Sequence, residues 1–206
     1  MRNYKFVRVN SIFLTAALVL LIPVFAAAQA VATQLTATEV FDPMNLFGSG
    51  SVGAYTNPGT LTCPGAEPTG NPMQPCPPGS RIKLRGTAVQ SRVTAQSSPQ
   101  SPLLTGWAYL EGDGDLDANG AGHVSGKYRI ELDAGGTWEG TWVVDRERVE
   151  GLNLWVGHLR AVGRGTSGNI AGMQLRFTEV LTSFTLIPVA YIGSIDAQIL
   201  EPPPSQ

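Results

Sequence analysis

A carboxylate set in an apolar stripe is the residue pattern in this chain best suited to chemistry. In MQLRFTEVL, a period of two places Met173, Leu175, Phe177, Glu179 and Leu181 on one face. A buried carboxyl without a partner has a raised pKa and can act as a general acid or base. The candidates to stand with Glu179 are His158 and Arg160, two positions apart on another strand-like segment, either of which would polarise a substrate. An ion pair between Glu179 and Arg160 would be structural, and at the rim of a fold Glu179 would simply be wet.

A second pattern is GTWEGTW, where Trp138 and Trp142 flank Gly140 on one face, opposite Thr137, Glu139 and Thr141. Two inward rings around a notch suit the broad face of a flat apolar molecule or a sugar, and they equally suit plain core. With Tyr128, Phe177 and Tyr191, which share the inward parity of their own segments, they form the candidate ligand-binding set. DLDANG, Asp115 to Gly120, matches the first half of a calcium loop. The position that should carry the closing glutamate is Gly126, and Asp, Asn and Gly also make ordinary turns, so no metal site is assigned. There is no G-x-S-x-G, no H-E-x-x-H and no phosphate loop, and only two histidines occur in all; no cofactor is expected.

Short alternating strands must position these residues. Val124 to Asp133 alternates Val124, Tyr128, Ile130 and Leu132 against charged neighbours, and a turn at Asp133 to Gly136 leads into the tryptophan strand as a hairpin. Further strands are expected at 33–41, 81–93, 103–111, 152–162, 170–181 and 187–200. In 152–162 the interior face stays open, because Trp155 and Leu159 oppose His158. Seven or eight strands with 24 glycines and 15 prolines in the chain argue against long helices. The count suits a closed up-and-down barrel or a sandwich, and glycines inside strands, which favour sharp bends, point to closure. The expected fold is all-β: an antiparallel up-and-down β-barrel of about eight strands with a long, disulfide-stapled N-terminal loop.

That loop spans Phe41 to Gly79 and is rich in Pro, Gly, Ser and Thr. It is a passive wrap, a lid or a partner-binding segment. Cys63 and Cys76 lie within it and are expected to pair.

Residues 1–30 read as a signal peptide: Arg2, Lys5 and Arg8 precede an apolar run from Ile12 to Phe25 and then Ala26, Ala27 and Ala28. The chain then divides into 31–79, the N-terminal strand and loop; 80–200, the barrel body; and 201–206, a tail. A secreted or periplasmic location follows, with no membrane association beyond export. Removing three of 14 basic residues leaves 11 against 16 acidic ones, a net charge of -5. That balance makes nucleic acid a poor partner, and the one dense basic run, Arg81, Lys83 and Arg85, alternates along a strand as a solvated face would.

GRGTSGNIAGMQLRF, Gly163 to Phe177, resembles the glycine-rich hairpin of allene oxide cyclase and dirigent-type proteins, with Gly163, Gly165 and Gly172 in the glycine places. The resemblance covers about fifteen residues and implies an eight-stranded antiparallel barrel with an apolar cavity. It implies no matched catalytic residue. The leading expectation is non-catalytic binding of a small apolar or aromatic ligand inside the barrel; a cyclase- or isomerase-like enzyme and an envelope or extracellular interaction module are the alternatives.

Overall fold

Alternation of side chains over ten or more residues lets a strand bury one face and hydrate the other, and this chain does so eight times. The computed structural model describes residues 31–70, 76–97, 100–184 and 190–202. The expected signal peptide lies outside the described residues.

The strands are β1 (Ala32–Phe41), β2 (Ala54–Asn57), β3 (Thr60–Thr62), β4 (Ile82–Ala95), β5 (Gly106–Leu116), β6 (Gly122–Leu132), β7 (Thr137–Arg148), β8 (Trp155–Ser167), β9 (Gln174–Ser183) and β10 (Tyr191–Leu200). From β4 to β10 each strand pairs antiparallel with the next; β10 pairs with β1, and β1 pairs with β4. This is a closed eight-stranded up-and-down barrel, with β2 and β3 outside the ring. Closure removes the exposed edges that an open sheet of this size would present.

The seams differ in length. β1 meets β10 over ten residue pairs but meets β4 over only four, Ala37↔Ala95 to Val40↔Arg92. Beyond Val40 the edge of β4 is taken by β2, at Val89 and Gln90, and by β3, at Lys83 to Arg85. The β2 and β3 segments of the excursion therefore extend the sheet along β4 rather than forming a detached loop. Asp42, fully buried, fixes its start by accepting the backbone N–H groups of Leu46 (2.7 Å) and Phe47 (2.8 Å). The Cys63–Cys76 disulfide is formed, and both cysteines pack with Ile82, Leu84 and Leu116 in a small apolar cluster under the excursion. A formed disulfide suits an oxidising compartment.

The main core fills one half of the barrel, where Leu104, Ile130, Trp138, Ile170, Leu175 and Ile199 are fully buried. Four expected strand starts move: β5 begins at Gly106 rather than 103, β10 at Tyr191 rather than 187, and two others have a visible cause. Residues 149–154 turn before β8 begins at Trp155, and Gly168–Ile170 is a single 3-10 turn before β9.

Candidate functional site

The other half of the barrel, where β5 turns into β6 and β7 into β8, holds a cavity of about 120 Å³. Its walls are apolar and come from seven strands; Val89, Leu110, Trp142, Trp155, Leu181 and Tyr191 are representative. Arg146 sits at its margin, stacked over Trp155 with 5.2 Å from guanidinium carbon to ring centroid, and burial lowers its pKa to about 10. The same two side chains hold the β5–β6 turn: Trp155 donates to the Asn119 carbonyl (2.7 Å) and Arg146 to that of Gly120 (3.4 Å).

The two tryptophans of GTWEGTW have different roles. Trp138 is fully buried core and donates to the Leu103 carbonyl at 2.9 Å. Trp142 lines the cavity and donates to the Lys127 carbonyl at 2.9 Å. The notch at Gly140 is filled from the neighbouring strand, since a Cβ there would stand 2.6 Å from Cε1 of Tyr128. The Tyr128 ring extends on to Gly163, where an added Cβ would be 2.3 Å from its hydroxyl, and it packs edge-on against Phe177 at 5.5 Å. Of the five expected ligand-binding residues, Trp142 and Tyr191 reach the cavity, whereas Trp138, Tyr128 and Phe177 belong to the packed core.

Beside the cavity wall lies a buried polar cluster drawn from four strands. Glu39 of β1 accepts hydrogen bonds on Oε1 from the Ser91 hydroxyl of β4 (2.5 Å) and the Tyr191 hydroxyl of β10 (2.6 Å). The carboxyl of Glu179 on β9 lies next to that of Glu39, and neither of its oxygens has a hydrogen-bond partner of good geometry among the described residues. Its space is left by Gly193, where an added Cβ would fall 1.7 Å from Oε1.

Burial, then the adjacent charge of Glu39, holds the Glu179 carboxyl well above the usual carboxylate range. Glu39 is also raised by burial, but its hydrogen bonds from Ser91 and Tyr191 pull the other way. Two buried carboxyls in contact cannot both ionise, so the pair holds a proton, and the donors around Glu39 make Glu179 the protonated member. Tyr191 connects this pair to the cavity, because its ring lines the wall while its hydroxyl bonds Glu39. Its own ionisation is pushed far up by burial and by the two carboxyls.

His158 and Arg160 do not join Glu179. The residue opposite Glu179 on β8 is Leu159, and its two sequence neighbours point outward, with side chains 60% and 67% exposed. Arg160 pairs there with Asp145 at 3.1 Å, and His158 lies 4.0 Å from Glu147. The strand's alternation allowed either face; the bulk of Trp155 and Leu159 decided it.

Asp117, in the calcium-like stretch, caps its own turn by accepting the backbone N–H of Asn119 and of Ala121. Asp115 pairs with Arg85, one residue of the basic run.

Sequence reasoning passed over Glu39 and Ser91. The signal for Glu39 was the one used for Glu179: Leu35, Ala37, Glu39 and Phe41 share a face of β1. Ser91 gave a weaker one, a hydroxyl between Val89 and Val93 on the inward face of β4.

No family model matches the chain, and no curated protein matches it. Among solved structures the chain is similar to the pterocarpan synthase dirigent protein, at 12% identity over 86% of this chain and 89% of that one, with a TM-score of 0.43. The likeness to known proteins is thus a weak dirigent-type resemblance.

Proposed function

We propose that the barrel binds one small apolar or aromatic molecule, about one ring in size, in the cavity beside Tyr191. The observation that carries this reading is the cavity itself, about 120 Å³ with apolar walls that include two tryptophans and a tyrosine. Apolar cavities of about 150 Å³ stay dry and take up benzene, so a space of this size suits a single ring. The formed disulfide and the basic-then-apolar leader of residues 1–30 support delivery of the protein outside the cytoplasm, to the periplasm or medium.

Titration with benzene and toluene, followed by tryptophan fluorescence and calorimetry, tests it. Saturable binding that Trp142→Ala weakens is the expected result. Absence of both heat and spectral change would overturn it.

One observation favours a second reading, an enzyme that moves a proton on the bound molecule. Tyr191 lines the cavity with its ring and bonds Glu39 with its hydroxyl, so the carboxyl pair stands one side chain away from a bound ligand. In that reading Glu179 supplies the proton, and His158 and Arg160 take no part. Turnover of a candidate substrate that is unchanged in Glu179→Gln removes it.

A further inference from the structure

The inward row of β7 ends in charge. Trp138 lies in the core, Trp142 and Val144 line the cavity, and the next inward residue, Arg146, lines it too. The residues opposite Arg146 are Gly122 on β6 and Gly157 on β8, so neither register partner places a side chain beside it. Arg148 follows at the exposed end of the same row, and both guanidiniums stack on Trp155, with their central carbons 5.2 and 5.7 Å from the ring centroid. Two cations are thus gathered at one indole that forms part of the cavity wall.

Like charges held at one ring repel each other, and an anion beside that ring relieves the repulsion. Burial lowers the Arg146 pKa to about 10, so the group still carries its charge at neutral pH. A guanidinium presents its N–H donors in a planar fork that matches both oxygens of a carboxylate. Here the plane is set in advance by the stack on Trp155 and by the bond to the Gly120 carbonyl, which reduces the cost of ordering it around a ligand. The Tyr191 hydroxyl, by contrast, donates to Glu39, so Tyr191 offers a ligand its ring.

We propose that the cavity's ligand is a small aromatic acid of the benzoate class, its ring lying against Trp142 and Leu181 and its carboxylate meeting Arg146. The inference rests on the cavity being the binding site proposed above, and it names the chemistry of the occupant. A space of about 120 Å³ holds one ring and excludes a long acyl chain. A neutral ring fills the apolar part equally well but leaves the charge at the margin unanswered, whereas the acid supplies a charge-assisted, bidentate bond.

Calorimetric titration of the full chain with benzoate, benzamide and toluene near neutral pH tests it. Benzamide keeps the ring and the planar end group but carries no charge. The expected result is benzoate binding at least about tenfold tighter than either neutral compound, with toluene displacing it competitively. Arg146→Met should remove that preference, and Arg146→Lys should keep part of it. Should Arg146→Met not fold, because the side chain also holds the turn at Gly120, the comparison of benzoate with benzamide in the native chain decides.

Benzoate binding no tighter than benzamide would overturn the acid, as would a benzoate preference that survives in Arg146→Met. Toluene binding without any preference for benzoate sinks this inference alone. Absence of binding by all three compounds sinks the reading beneath it as well.

Discussion

The Tyr191 hydroxyl donates to Oε1 of Glu39 at 2.6 Å, joining the last barrel strand to the first through residues 152 positions apart. Removing the hydroxyl leaves a buried carboxylate with Ser91 as its remaining donor. Tyr191→Phe should cost about 1.5–3 kcal/mol, the range for a hydrogen bond to a charged group. Urea denaturation near neutral pH measures it, and a change within a few tenths of a kcal/mol would show that the bond contributes nothing net.

The carboxyl pair also sets a pH dependence with a definite sign. In the unfolded chain Glu179 ionises near its ordinary value of 4.5, whereas in the folded barrel it keeps its proton to higher pH. The folded state then binds more protons, so the stability that this group contributes is full below about pH 4.5 and is lost as pH rises toward the folded value. The slope for one proton is about 1.4 kcal/mol per pH unit. Unfolding free energies from pH 5 to 8 should fall in the native chain and fall less in Glu179→Gln; parallel curves would contradict the assignment.

The tryptophans should separate by mutation. Trp138 is fully buried, so Trp138→Ala should cost about 3–5 kcal/mol. Trp142 faces a cavity on one side, so Trp142→Ala should cost less and enlarge the space into which a ligand fits. Chemical denaturation of both variants, with benzene titration of the second, distinguishes these roles. Equal destabilisation would mean that both rings are core.

Gly193 is required by the carboxyl beside it. A methyl group there would meet Glu179 Oε1 at 1.7 Å. Gly193→Ala should lower the melting temperature in the native background and do so much less together with Glu179→Ala, where the clash is gone. Additive costs in this double-mutant cycle would show that the two positions are independent.

Reduction of the Cys63–Cys76 bridge frees a short loop and should cost about 3 kcal/mol in the chain-entropy model. The loss should fall first on the cluster of Ile82, Leu84 and Leu116 beneath the excursion. Thermal melts with and without reductant, together with exchange of the β3–β4 amides, would show it. Unchanged melting would mean that the excursion holds without its staple.

The sequence by itself determined the strand periodicity, and with it the all-β class, a count of seven or eight main strands and the inward set on β6, β7, β9 and β10, because a period of two is written residue by residue along each segment; the β1–β4 pairing that closes the ring came from the structure. It also determined that Glu179 would share a face with Leu175 and Phe177, and it made a bridge between Cys63 and Cys76, thirteen positions apart, the expectation that the structure then realised. Tertiary structure alone decided what met on those faces. Alternation assigns a side chain to a face but says nothing of its level along the barrel, so Trp138 became core and Trp142 cavity wall. On β8 both faces carried apolar residues, and packing turned Trp155 and Leu159 inward and sent His158 and Arg160 to solvent. Glu179 found Glu39 rather than a cation because closing the ring brings β1 against β10 and β4, contacts between residues far apart in the chain that local sequence does not encode.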